Sequence, residues 1–201
     1  MRLSKFTWLL VAIVAIIYTA TLIVVRIDNP HRIQAESYQR WRETYIIKQS
    51  ANRAFVNTSN QRRNPVALSE GQGYGLYITA AAGQHGWAKS RDFDQLLNYY
   101  LAHRDHVGNH HQTPTYLMQW RQHRKNGRWV SDINSATDGD LFIAMALHQA
   151  AQVWPGRANY YRNLEHHLTN DILAYEYNPQ TRSLTVGDWA TSKSKYYRLM
   201  R

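Results

Sequence analysis

The chain has 201 residues, 44% of them hydrophobic, enough for one well-packed core and too few for two full domains. It contains no cysteine, which excludes disulfide frameworks, thiolate zinc sites and thiol nucleophiles. The formal net charge is +10, but Arg2 and Lys5 sit at the extreme N-terminus and the remaining cations are scattered through aromatic-rich segments, so nucleic acid is not an expected partner.

Residues 6–25 (FTWLLVAIVAIIYTATLIVV) carry no charge over a stretch long enough to cross a ~30 Å hydrocarbon core as a helix. Arg2 and Lys5 precede this run, so the positive-inside tendency keeps the N-terminus cytoplasmic and puts the body outside. A cleavable signal peptide is the rival reading. Its apolar region would be shorter and would end at a small-x-small site, whereas this one closes on Leu22, Ile23, Val24 and Val25, which favours an uncleaved anchor at the cell membrane over secretion. Asp28, Asn29 and Pro30 read as a helix-breaking link. The expected organisation is therefore a cytoplasmic tip, membrane anchor and linker over residues 1–34, then a body over 35–201.

In the body, Tyr38, Trp41, Tyr45, Ile46 and Ala54 recur near helical spacing, which predicts an amphipathic helix over 35–57. A polar, turn-rich segment (58–65) precedes a second helix over 69–82. Ser90 is placed to cap a third, with Phe93, Leu96, Leu97 and Tyr100 on one face. Residues 103–134 read as a long irregular connection, of the kind that is functional when ordered, and Trp120 and Trp129 argue for order. Thr137 with Asp140 has the spacing of a capping box ahead of a helix over 141–154, which Pro155 and Gly156 stop. Tyr161, Leu164, Leu168 and Ile172 mark one more helix, and residues 178–180 a turn between two short extended pieces. No βαβ alternation is present, so the predicted class is all-α.

Two segments carry polar residues that packing alone does not call for. In Ser69-Glu70-Gly71-Gln72-Gly73-Tyr74-Gly75, three glycines cost roughly 1 kcal/mol each inside a helix, so close backbone approach must offset them. Glu70 stands at that helix start, where the dipole favours a carboxylate; the plainer reading makes it a first-turn charge. In Asn134-Ser135-Ala136-Thr137-Asp138-Gly139-Asp140, Asp138 and Asp140 again suit a helix N-terminus. Calcium sites want more oxygen ligands in a tight loop, so no metal and no cofactor is expected.

Both segments resemble glycoside hydrolase family 8, which includes cellulases, lichenases, chitosanases and xylan-acting enzymes. SEGQGYG matches the motif that bears the family's acid. Residues 136–154 (ATDGDLFIAMALHQAAQVW) are similar to the family signature, departing at His148. Trp120 resembles the sugar-stacking tryptophan ahead of it, and residues 184–190 (LTVGDWA) resemble a cleft-lining segment. The resemblance implies an (α/α)6 barrel of twelve helices with an acidic, aromatic-lined groove, and inverting hydrolysis of β-1,4-linked or mixed β-1,3/1,4 polysaccharides. Inversion needs two carboxyls about 6.5 to 9.5 Å apart, one protonated and one ionised to activate water. Glu70 would be the acid, with a pKa raised by burial or neighbouring acids. Asp138 would be the second catalytic residue, holding and distorting the sugar at the cleavage point; Trp120, Tyr74 and Trp189 would line the groove.

The family's general base lies well downstream of the GDW segment. The chain therefore reads as the N-terminal part of such a barrel, preceded by one transmembrane helix. Two other function classes fit the sequence: a membrane-tethered sugar-binding module without turnover, and a basic helical protein engaging wall polymers or lipid.

Overall fold

A computed structural model describes residues 5–27, 30–61 and 63–190. Arg2 and the Asp28-Asn29 link lie outside them. The chain divides into two units, Met1–Arg40 and Trp41–Arg201.

The first unit contains α1 (Lys5–Ile27) and most of α2 (Pro30–Tyr45). Pro30 opens α2 rather than ending a helix, because its missing N–H falls where no helical partner exists and its fixed φ suits the first turn. Lys5–Ile23 has a mean hydropathy of 2.3 and is long and apolar enough to cross a membrane, with Phe6, Trp8, Ile16 and Ile17 all exposed. Two of its polar side chains are satisfied within the helix: Thr19 and Thr21 donate to the carbonyls of Ala15 and Ile17 at 2.7 and 2.8 Å.

In the second unit the helix expected over 35–57 stops at Tyr45 and gives way to a hairpin, β1 (Ile46–Ser50) and β2 (Arg53–Val56), around Ala51 and Asn52. The β-branched pair Ile46-Ile47 favours extension. The hairpin is also held from outside, by Gln95 donating to Ala51 O at 2.7 Å and Asn98 to Asn52 O at 3.0 Å. Tertiary bonds have overridden a helical pattern.

Four helices make the frame: α3 (Ser69–Gln84), α4 (Ser90–Ala102), α5 (Thr137–Val153) and α6 (Ala158–Tyr175). A side chain added at Gly73 would meet Phe142 and Gly139, and one at Gly83 would meet Val153 and Trp154, so α3 and α5 lie against each other in parallel from start to end. Helices α4 and α6 return, giving two αα-hairpins side by side. Their core is the predicted apolar face of α4 (Phe93, Leu96, Leu97, Tyr100) against Leu76, Ile143, Leu147, Tyr161, Leu164 and Leu168, all buried. The cap of α4 is one residue earlier than predicted: Lys89 is the N-cap, and Asp92 accepts its backbone N–H at 3.0 Å.

The body is mainly helical, as the all-α reading expects, but residues 103–134, read as an irregular connection, are largely strands. They form β4 (Arg104–Val107) and a long antiparallel hairpin, β5 (Thr113–Lys125) and β6 (Arg128–Ser135), joined by Asn126-Gly127. Both turn residues have positive φ (52° and 76°), as a two-residue hairpin turn requires. The short β3 (Ala67–Leu68) pairs with Gln122 and Arg121 of β5 and runs directly into α3. Strand β6 runs almost directly into α5, with Ala136 between. One sheet thus feeds both helix starts. A second small hairpin, β7 (Tyr177–Asn178) and β8 (Ser183–Leu184), brackets the turn expected at 178–180.

Candidate active site

The starts of α3 and α5 meet because glycine replaces bulk on both sides. A Cβ at Gly139 would fall 2.7 Å from Ser69 C and Cβ, and one at Gly73 would fall 2.7 Å from Phe142 Cβ and 2.9 Å from Gly139 O. These distances are below any tolerable Cβ contact, so the two SEGQGYG and TDGD glycines are there for backbone approach. Their neighbours Glu70 and Asp138 are consequently carried on adjoining first turns, where both helix dipoles favour negative charge. Gln72 faces inward between them and the frame: it accepts Val56 N–H at 3.1 Å and donates to Leu96 O at 2.8 Å.

Glu70 is half-buried and Asp138 exposed. Tyr74, one turn along from Glu70, donates its hydroxyl to Glu70 Oε1 at 3.0 Å and packs edge-on against Phe142 of α5, ring centroids 4.4 Å apart. The Tyr74 phenol is pushed above its usual range, first by the hydrogen bond to Glu70 and then by slight desolvation and the charges of Glu70 and Asp138. One tyrosine therefore feels both acids. Beside it a hollow of about 310 Å³ is lined by Trp41, Tyr45, Val56, Gly71, Tyr74 and Tyr77.

Trp120 sits on β5 between Met118, whose N–H bonds to Asp140, and Arg121, which pairs with Leu68 just ahead of α3. Opposite it, β6 carries an extra residue, since Gln119 pairs with Ser135 but Arg121 with Asp132, and Asn134 takes φ +76°. Such a bulge re-aims side chains. Trp120 is half-buried, and the Arg121 guanidinium, held by Asp132, lies 4.4 Å over its ring. Trp189 is 42% exposed and follows Asp188, whose Oδ1 accepts Ser135 N–H at 2.8 Å. Gly187 permits this, because a Cβ there would lie 2.5 Å from Ser135 O.

Sequence reasoning missed the acids beneath this surface. Asp140 does not form the predicted capping box. Ala136 is the N-cap, and Asp140 is fully buried, its Oδ1 accepting Met118 N–H at 2.8 Å. Glu176, also fully buried, accepts the Ser135 hydroxyl at 2.5 Å. Burial, aided by the mutual charge of the pair, pushes Asp140 well above the ordinary carboxylate range; burial likewise lifts Glu176 to about 7 and Asp105, on β4, to about 6. Among the described residues no group of three or more His, Asp or Glu is arranged to hold a metal ion.

The family model for glycosyl hydrolases family 8 matches residues 9–199. A β-glucanase of Niallia circulans is 31% identical over 160 residues, covering 78% of this chain and 36% of its own length. An endoglucanase of Bacillus sp. (strain KSM-330) is 31% identical over 178 residues, 80% of this chain and 37% of its own. The chain thus spans little more than a third of these curated relatives. Among solved structures, the apo β-1,3-1,4-glucanase of Paenibacillus sp. X4 is similar with a TM-score of 0.65 and 26% identity, over 81% of this chain and 41% of that one. An endoglucanase of Komagataeibacter sucrofermentans gives 0.62 and 26%, over 80% and 45%. The paired αα-hairpins, the glycine-mediated meeting of the two motifs and this match along nearly the whole sequence agree: the chain belongs to glycosyl hydrolases family 8.

Proposed function

We propose that this protein acts in the hydrolysis of a β-1,4-linked or mixed β-1,3/1,4 polysaccharide such as cellulose, lichenan or chitosan, by inversion, with Glu70 as the general acid. The observation that carries this reading is the joining of Glu70 and Asp138 on adjacent helix starts, with the Tyr74 hydroxyl on the first and within the field of the second. In its protonated form Glu70 gives its proton to the leaving glycosidic oxygen as the bond to the anomeric carbon breaks; water attacks from the opposite face and a base takes its proton. Asp138, exposed, accepts hydroxyl hydrogen bonds from the sugar at the cleavage point. Trp120 and Trp189 offer apolar ring surface to sugar faces, and Tyr74 combines ring contact with its hold on Glu70. Asp188 holds Ser135 in place, its Oδ1 accepting the Ser135 backbone N–H. On this reading the base lies outside the described residues.

The relatives named β-glucanase and endoglucanase support a glucan substrate over other polysaccharides. The apolar helix Lys5–Ile23, preceded by Arg2, supports a single-pass anchor in the cell membrane with the body outside; secretion after cleavage of that helix is the alternative.

The test is release of reducing ends from carboxymethyl cellulose, lichenan and chitosan by the protein extended to the length of its curated relatives, in detergent, and by its Glu70→Gln variant. We expect the variant to lose roughly 10²- to 10⁴-fold in kcat, the usual contribution of a positioned acid. NMR of the first product should show the inverted anomer. Equal rates from the two proteins would remove Glu70 from the mechanism. Binding of glucan by both without turnover would make the protein a tethered sugar-binding module instead.

A further inference from the structure

Beneath the proposed site two carboxyl groups face each other in the dry interior. Asp140 and Glu176 are both 0% exposed, and each lies close enough to bear on the charge of the other. Each has one oxygen engaged elsewhere: Asp140 Oδ1 by Met118 N–H at 2.8 Å, Glu176 Oε1 by the Ser135 hydroxyl at 2.5 Å. The remaining oxygens, Asp140 Oδ2 and Glu176 Oε2, are buried without another partner. Two ionised carboxylates so placed would repel one another and leave two lone oxygens unsatisfied, each a costly defect in a low dielectric. A single proton between them removes both, because a carboxylic acid donates where a carboxylate can only accept.

We propose that Asp140 and Glu176 share one proton, and that this acid–carboxylate pair is the positioning device that fixes the start of α5, and with it Asp138, to the strand bearing Trp120 and to the 187–189 segment. The link is continuous. Asp188 N–H donates to Ser135 Oγ at 3.1 Å, Ser135 Oγ–H donates to Glu176 Oε1, the shared proton joins Oε2 to Asp140 Oδ2, and Met118 N–H closes on Asp140 Oδ1. Asp138 lies two residues before Asp140, and Trp120 two residues after Met118. Asp140 and Glu176 touch no substrate on this account, and the positioning role rests on the hydrolase reading above.

The charges bearing on the pair do not supply a counterion that would make the proton unnecessary. Asp140 faces Glu176, Asp105 of β4 and the Tyr100 phenol of α4, while Glu176 faces Asp188 and the side chains of Ser135 and Thr137. Arg104 acts on Tyr100, and His111 on Asp105. Both carboxyls are held above their unfolded values by burial, so stability from the pair is full below about pH 4 and is lost as pH rises towards 7 and beyond.

The experiment uses the same extended protein in detergent and needs no substrate for its first two readouts. Asp140→Asn replaces the acid by an amide that accepts from Met118 and donates to Glu176, with no proton to lose. We expect infrared spectra at pH 7 to show a protonated-carboxyl C=O stretch in the wild type and in Glu70→Gln, absent from Asp140→Asn. Between about pH 5 and 7 the unfolding constant should rise more steeply in the wild type than in Asp140→Asn, by close to one proton, a factor of about ten per pH unit. On lichenan, Asp140→Asn should stay within about threefold of wild type, whereas Asp140→Ala should lose roughly tenfold or more in kcat with little change in KM. No such band in the wild type, or identical slopes, overturns the proposal. If Asp140→Asn fails to fold, Glu176→Gln takes its place in the comparison of slopes; if neither folds, the wild-type and Glu70→Gln spectra decide. An inactive wild type that keeps the band would sink only the hydrolase reading, and an active one without it only the pair.

Discussion

Ser69 and Gly139 occupy the same crossing point of α3 and α5, so tightly that a methyl on Gly139 would fall 2.7 Å from both Ser69 C and Ser69 Cβ. Gly139→Ala must therefore push the helices apart. We expect a loss of about 1–3 kcal/mol by overpacking, larger than the roughly 1 kcal/mol that alanine returns in helix propensity. Gly73→Ala meets Phe142 Cβ and the backbone atoms Gly139 O and Ile143 N and should behave alike. Urea unfolding with an unchanged m-value would check this. The same separation moves Asp138 away from Glu70, so hydrolysis should fall further than stability accounts for.

The glycine pattern announced close approach in the sequence: Gly73 meets α5 at this crossing, while Gly71 and Gly75 make room for Thr58 and Val56. The faces of α4 and α6 were equally legible, since Phe93, Leu96, Leu97 and Tyr161, Leu164, Leu168 keep helical spacing and are all buried. What escaped was decided by distant partners. Strands β1 and β2 owe their form in part to Gln95 and Asn98, some 44 and 46 residues away. Asp140 looks like any first-turn acid until β5 places Met118 N–H against it. Glu176 carries no local sign of its role, because Ser135 and Asp140 reach it from another part of the chain. The β5–β6 hairpin is the exception: Asn126-Gly127 is a strong hairpin signal, overlooked amid charged residues that obscure the alternation of the flanking strands.

That turn gives a second prediction. Gly127 has φ +76° and no atom within 4 Å of where a Cβ would stand. Gly127→Ala meets no clash, so its whole cost is backbone strain, about 1–2 kcal/mol. Because β5 carries Trp120 and pairs with both strands that run into the helix starts, a slipped register would also show as weakened glucan binding. A urea midpoint lowered without loss of activity would indicate strain alone.

Tyr74 tests how the proposed acid is held. Tyr74→Phe removes the hydroxyl bonded to Glu70 Oε1 and keeps the ring against Phe142, so folding should be unchanged. On the reading of Glu70 as the acid, kcat should fall roughly tenfold, the order expected when one orienting hydrogen bond is lost. Tyr74→Ala should add a defect in substrate binding, since it also removes the ring that lines the hollow with Trp41 and Tyr77. Steady-state kinetics on lichenan separate the two effects, and an unaltered kcat in Tyr74→Phe would mean that the hydroxyl does not orient the acid.

Asp105 makes a pH prediction separate from the Asp140 pair. Burial, reinforced by the charge of Asp188, raises it from an ordinary 3.8 to about 6. The folded chain thus holds this proton over a range in which the unfolded chain has released it. Stability from the group is complete below about pH 4, declines as pH rises to about 6, and is flat above. Asp105→Asn cannot ionise, so it should match the wild type near pH 4 and exceed it at pH 7 by up to roughly 3 kcal/mol, the equivalent of that shift. Urea unfolding at pH 4, 5, 6 and 7 measures the difference directly. A gap that stayed constant across the series would show that Asp105 is ionised throughout, and that the β4 carboxylate is stabilised in the fold by partners strong enough to outweigh its burial.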